Sequence, residues 1–336
     1  MNKRFLRHAA ACSAALALIF ATSSCGEVKR GEYVKGSATI FCDDGFRNIL
    51  EEEIQVFEYT YPESSILPFY VSEQQAIDTL LADATEAIIT TRELNKDQVE
   101  YMRNKFKRVV KQKCIAVDAV ALIVNKDNPL ASLSMEEIKE LLTGQINTWQ
   151  QLASGDTAKV KLVFDSQESS TVSYMREKFL AGGKISDNPN AFAQQNNAEV
   201  FDIVKTDPRA IGIISVSWLG DNLQNARKVP MKERMEKYAN ENDTIVSSLT
   251  TEVKVLKVSN PTPENDYTLQ AFEPYQVYIN SGEYPLYRKV YMITTASSSH
   301  LMKSFYDFMT GFVGQKIISM TGIMPYSVNR RIVELK

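Results

Sequence analysis

Histidine is nearly missing from this chain. There are two, His8 and His300, and His8 lies in the N-terminal apolar stretch. His300 alone would have to serve any Ser–His–Asp relay, and no G-x-S-x-G elbow accompanies it. The four cysteines form no C-x-x-C, and neither H-E-x-x-H nor G-x-x-x-x-G-K-[ST] occurs. "GFVGQK", with Gly311, Gly314 and Lys316, does not fit the last pattern. Metal-dependent and nucleophilic catalysis therefore have little to work with. Basic clusters are also lacking, and the formal charge is −3, which argues against nucleic acid as a partner. The one long apolar run, residues 9–20, is too short to span a bilayer.

That run has a context. Lys3, Arg4 and Arg7 precede it, and small residues lead from it to Cys25. The order resembles a bacterial lipoprotein signal. It implies removal of residues 1–24, lipid on Cys25, and an exported protein of the cell envelope or periplasm held at a membrane. Residues 1–24 carry three basic and no acidic side chains, so without them the charge of −3 becomes −6. What is left is long enough for a substantial core and for two domains. Cys42 and Cys114 read as two free thiols, because separation in sequence does not show that their Cβ atoms meet.

Helical and strand patterns alternate. "SATIFC" is a short strand, followed by a helix that puts Phe46, Ile49, Leu50, Ile54 and Phe57 on one stripe and stops at Pro62. "CIAVDAVALIVN" suits a strand covered on both faces. "SMEEIKELLTG" starts on a Ser134–Glu137 capping box and stops at Gly144. Asp221–Thr268 reads as an irregular insert, and "SHLMKSFYDFMTGFVGQKIISMTG" as one long helical tail. Such alternation predicts an α/β fold with mostly parallel sheets. Ligands of these sheets bind beyond the carboxyl ends of strands, which singles out the junctions Cys42–Phe46, Thr90–Arg92 and Asp165–Thr171.

The third junction, "FDSQESSTVSYM", places Ser169, Ser170 and Thr171 together at a helix start. One hydroxyl suffices for an N-cap. Three, with free backbone N–H groups and the helix dipole behind them, also suit an anion.

The order of motifs is similar to that of the phosphate-binding subunits of bacterial ABC importers, members of the type II periplasmic substrate-binding proteins. The likeness is carried by "AVDAVALIVNKDNPLASLSMEEIKELLTGQINTW", "AIGIISVSWLG", "YPLYRKVYMIT" and "FYDFMTGFVGQKIISMTGIMP", in that order. It implies a two-lobed periplasmic-binding-protein fold with two crossover strands and a cleft. Lobe one would hold residues 30–117 and 290–336, and lobe two residues 118–289. It also implies a monomer without a cofactor, which carries a small oxyanion, phosphate first, to a membrane permease.

In this frame Ser169, Ser170 and Thr171 match the family's R-S-x-G-S-G-T loop. The chain departs from the pattern where Asp165 replaces the Arg of that loop. "CDDGF" stands at the first junction and "TTRELN" at the third of the family's set. The expected ligand-binding residues are thus Asp44, Gly45, Thr90, Thr91, Arg92, Asp165, Ser169, Ser170 and Thr171, with Arg92 as the cation. Asp43 and Asp44 either compensate a helix start or meet the ligand. Two other functions stay open: a binding or sensing lipoprotein for another small ligand without its own permease, and a hydrolase holding a divalent metal on Asp43, Asp44 and Asp165. If Cys25 carries the lipid, Cys25→Ser releases the protein into the soluble fraction. A variant still sedimenting with membranes at the wild-type level would contradict the anchor.

Overall fold

The structure, a computed structural model, describes residues 34–152, 156–240, 248–260, 270–295 and 300–327. The signal-like stretch and Cys25 lie outside the described residues. β1 (Gly36–Asp43) runs through a single 3-10 turn (Asp44–Phe46) into α1 (Arg47–Thr60). Next come β2 (Ser64–Val71), α2 (Glu73–Leu81), β3 (Ala87–Thr90) and α3 (Lys96–Phe106). The long β4 (Val110–Asn125) leads to β5 (Ser132–Ser134), α4 (Met135–Thr143), β6 (Lys161–Phe164) and α5 (Ser170–Leu180). β7 (Ala191–Ala193), α6 (Asn197–Thr206), β8 (Ala210–Ser215), α7 (Asp221–Ala226) and α8 (Met231–Ala239) follow. The chain continues through β9 (Val253–Val255), β10 (Lys257–Ser259), α9 (Gln276–Ser281) and β11 (Tyr287–Thr295). α10 (His300–Met309), α11 (Phe312–Met320) and β12 (Met324–Pro325) complete it.

The main sheet has the order β2-β1-β3-β11-β4-β8-β6-β7, with β9 and β12 also on β4; β5 and β10 form a separate pair. β4 is where two halves meet. Its residues up to Ala119 pair with β11, and from Val120 to Val124 they pair with β8. β1 is parallel to β2 and β3, and β6 is parallel to β7 and β8. The burial of β4 follows its sequence. Lys111 and Lys113 alternate with half-buried neighbours, whereas Ala119–Val124 is buried throughout, as a strand covered on both faces must be.

Local signals hold where they are strong. Ser134 and Glu137 form the reciprocal capping box of α4, and Gly144 ends it at φ 78°. Ile49, Leu50, Ile54 and Phe57 are buried on α1, which stops at Tyr61 before Pro62. Each such side chain contributes about 1.5–3 kcal/mol through the area it removes from water. Cys42 is buried and Cys114 half-buried, and both are free thiols.

Two readings from sequence are changed. Residues 221–239, placed within an irregular insert of lobe two, form α7 and α8. Ala226 and Tyr238 join a core cluster with Val56 of α1 and with Ile317 and Met320 of α11. Beneath them the buried Glu52 of α1 accepts from Arg227, Arg234 and Tyr238. The segment thus packs on the β1 half, because its apolar side chains and a desolvated carboxylate both find partners there. The tail is two helices rather than one. Gly311 is the extended N-cap of α11 (φ −82°, ψ 178°), and the chain folds back so closely that a Cβ on Gly314 would lie 2.6 Å from the Met309 Cα. That contact is with backbone, which cannot turn aside. Gly314→Ala should therefore destabilise by about 1–3 kcal/mol in chemical denaturation. An unchanged midpoint would show that the turn relaxes freely.

Candidate functional site

Three chain segments converge beyond the carboxyl ends of β1 and β6. β6 ends at Phe164, and Asp165 and Ser169 follow it before α5. Ser169 caps α5: its Oγ accepts from the Val172 N–H at 3.2 Å. It also donates to Asp165 Oδ1, while Asp165 Oδ2 accepts from Asn197 Nδ2 at 3.1 Å. Capping needs only this one hydroxyl, so Ser170 and Thr171, both fully buried, are left for other work.

Their partners come from elsewhere. Ser170 donates its N–H to Asp43 Oδ2 at 3.0 Å and its hydroxyl to Asp43 Oδ1 at 2.8 Å. Asp43 Oδ1 also accepts from the Gly45 N–H at 3.0 Å. Gly45 packs tightly here, since a Cβ would lie 2.9 Å from that same oxygen. Its carbonyl accepts from Ser217 Oγ at 2.6 Å and from Trp218 Nε1 at 3.2 Å. The Thr171 hydroxyl faces Arg288 Nη2 at 3.4 Å. Arg288 is 5% exposed, donates to Asp118 Oδ2 at 3.0 Å, and leaves Nη1 without a hydrogen-bond partner among the described residues. Asp118 is anchored in turn by Ser215 at 2.9 Å.

The nine residues expected from sequence divide accordingly. Asp44, Gly45, Asp165, Ser169, Ser170 and Thr171 come together. Asp44 accepts from Arg47 at 2.8 Å and from the Asn197 N–H at 3.3 Å. Thr90, Thr91 and Arg92 are spoken for by another group. Thr90 donates to the Arg92 carbonyl, and Thr91 donates both its N–H and its hydroxyl to the buried Glu73, at 2.6 and 2.7 Å. The Arg92 side chain is about half exposed (49%), pairs with Glu73 at 3.5 Å and bonds Gln74 at 2.6 Å. The cation beside the helix start is Arg288, not Arg92, because Glu73 holds the Thr90–Arg92 junction to itself. Sequence reasoning passed over Arg288 and Asp118. A lone Asp inside the apolar run "AVDAVALIV" was a usable signal, since a buried charge demands a partner.

The cavity outside this cluster has a volume of about 320 Å³, and Asp43, Asp44, Asp165, Glu168, Arg47 and Tyr70 are among its lining. Arg47, its basic side chain, is engaged by Asp44 and lies 3.8 Å from the centre of the Tyr70 ring. Among the described residues no three His, Cys, Asp or Glu side chains converge as a metal site. No described helix is long and apolar enough to cross a membrane.

The strand ends and the helix start lie beyond the carboxyl ends of β1 and β6, the side on which open α/β sheets bind ligands in general. Solved structures carry the same architecture. One from Clostridium perfringens, described as a phosphate ABC transporter substrate-binding protein with bound phosphate, aligns with a TM-score of 0.67 at 20% identity, covering 87% of this chain and all of that one. An ABC-type phosphate transport receptor from Vibrio cholerae aligns at 0.59 with 18% identity, covering 85% and 99%. These likenesses establish the periplasmic-binding-protein fold. The PBP superfamily domain profile matches residues 28–311, and the chain belongs to that superfamily. Among curated relatives, the phosphate-binding protein PstS of Borreliella burgdorferi is 24% identical over 244 residues, 70% of this chain and 71% of the relative. PstS of Pseudomonas aeruginosa is 24% identical over 221 residues, 62% and 68%.

Burial governs the acids of the site. It pushes the Asp43 carboxyl up to about 6, against the pull of Arg288. It pushes Asp165 to about 7, with the Asp43 charge adding to the rise. Both therefore keep protons in the folded state at a pH where the unfolded chain has released them. Stability from these groups is then greatest at the acid end of that window and falls as pH rises from about 4 towards 7. In thermal melts across this range the wild-type midpoint should fall with pH, and Asp165→Asn should flatten the slope. Parallel slopes for the two proteins would remove Asp165 as the cause.

Proposed function

We propose that the chain is the extracytoplasmic solute-binding subunit of an ABC importer and that its ligand is inorganic phosphate. It binds this oxyanion and does not convert it. The observation that carries the reading is the start of α5. Ser170 and Thr171 present donors beyond the capping need, on a helix N-terminus whose dipole favours an anion, and the buried Arg288 guanidinium lies beside them. The phosphate-binding names of the relatives support it. The β1 half and the β6 half act as lobes that move about β4 and β11, and a ligand touching both favours the closed form. That form docks on the permease, and lipid on Cys25 keeps the monomer at the membrane.

A second reading is a binding or sensing protein for a different small ligand. The observation behind it is the lining of the cavity, where Asp43, Asp44, Asp165 and Glu168 outnumber the single, already paired Arg47. Like charges repel a phosphate dianion, whereas an ammonium group would be welcome.

Calorimetric titration with phosphate, sulfate and arsenate separates the two readings. Wild type should bind phosphate. Thr171→Val should weaken it by about 1–3 kcal/mol through loss of a hydrogen bond to a charged ligand. Arg92→Ala, a change on the Glu73 side, should alter it by no more than about 0.5 kcal/mol. Indifference of wild type to all three anions would end the phosphate reading, and a loss at Arg92 would move the site to the Thr90–Arg92 junction.

A further inference from the structure

The place an oxyanion would take at the α5 start is already filled by a side chain of the protein. The Asp43 carboxylate receives the Ser170 N–H, the Ser170 hydroxyl and the Gly45 N–H, at 3.0, 2.8 and 3.0 Å. A free phosphate could accept from the same three donors with its own oxygens. Asp43 stands at the end of β1, and Ser170 belongs to the other half of the sheet, beyond β6. The carboxyl is 1% exposed; burial pushes it up to about 6, and the charge of Arg288 opposes that rise. Arg288 still holds one buried donor, Nη1, without a partner among the described residues. So Asp43 accepts from the helix start as an anion would, and one guanidinium nitrogen of Arg288 is left over.

We infer that Asp43 is a tethered competitor of the ligand: its carboxylate seats on the α5 helix start in the unliganded protein, holds the two halves together there, and must be displaced before an oxyanion can bind. The inference rests on the oxyanion reading of this site. Its physical content is simple. A ligand that binds only when the seat is vacated has its affinity reduced by the fraction of time the seat is open. A tethered carboxylate offers two acceptor oxygens to a seat that can satisfy more, so a tetrahedral oxyanion, with four, can win the exchange. A carboxylate ligand gains no such advantage over Asp43. Asp43 thereby biases the site towards phosphate-like ligands and against carboxylates. Other contacts between the halves flank it, from Asn197 to Asp44 and from Ser72 to Glu168 at the rim, and these do not occupy the Ser170 donors.

The test uses the whole mature chain as wild type, Asp43→Ala and Asp43→Asn, each checked by circular dichroism. The Asn variant keeps the shape and an acceptor oxygen but removes the charge, so it remains informative should the Ala variant not fold. Small-angle scattering without ligand and titration with phosphate and acetate are measured for each. The competitor role requires a larger radius of gyration in the ligand-free variants than in wild type. It also requires phosphate to bind them more tightly, by about tenfold if the seat is occupied nine-tenths of the time in wild type. Acetate should bind the variants and not wild type. Weaker phosphate binding by both variants would make Asp43 a ligand contact and overturn the inference, as would an unchanged radius together with unchanged affinity. Should no protein bind phosphate, the phosphate reading falls, and the scattering and acetate arms still decide whether Asp43 holds the seat.

Discussion

The ion pair between Arg288 and Asp118 is the constraint around which the site is arranged. The two residues are cross-strand partners on β11 and β4, just before β4 exchanges β11 for β8. Both are desolvated, at 5% and 0% exposure. Buried pairs of this kind add little net stability, yet losing one partner costs about 3–5 kcal/mol because the other charge is stranded. The register of β11 on β4 is therefore pinned where the halves join. The same pin aims the guanidinium at Thr171, and Ser215 at the end of β8 holds Asp118 from the second half. One buried pair thus sets strand register, the junction of the halves and the position of the cation beside the α5 start.

Against that cation stand more carboxylates than an anion site needs. Asp43 and Asp165 are buried within one hydrogen-bonded group, and burial raises the proton affinity of both. The arrangement is tolerable because each acid has donors of its own: Ser170 and Gly45 for Asp43, Ser169 and Asn197 for Asp165. Those donors are the groups a ligand would want. The hydrogen-bond donors of this group are consequently taken up by the protein's own acids. α7 and α8 add a second tie. They anchor on Glu52 and the Val56–Tyr238 cluster of the β1 half, although the chain reaches them directly from β8.

How much of this was legible in the residues varies with the range of the interaction. Ser134 with Glu137, Gly144, Pro62 and the apolar run of β4 act within a few positions or one strand, and each stands where the sequence put it. The break at Gly311 was not legible, because the apolar stripe continues through it and only the return of the chain onto Met309 demands a glycine at 314. The helix start at Ser169–Thr171 was legible as a place. Its occupant was not, since Asp43 lies 127 positions away from Ser170.

By itself, then, the sequence determined the alternating α/β class, the order of elements, the strand ends where a site must lie and the surplus of hydroxyls at one helix start. These follow from periodicity, caps and side-chain type, which are local. Only the tertiary structure decided which charges face one another. Arg92 was given to Glu73, Arg288 to Asp118 and Thr171, and Asp43 to Ser170. A charge falls to whichever partner the packed backbone brings within hydrogen-bond reach after water is excluded, and that partner is set by strand register and crossover topology rather than by neighbours along the chain.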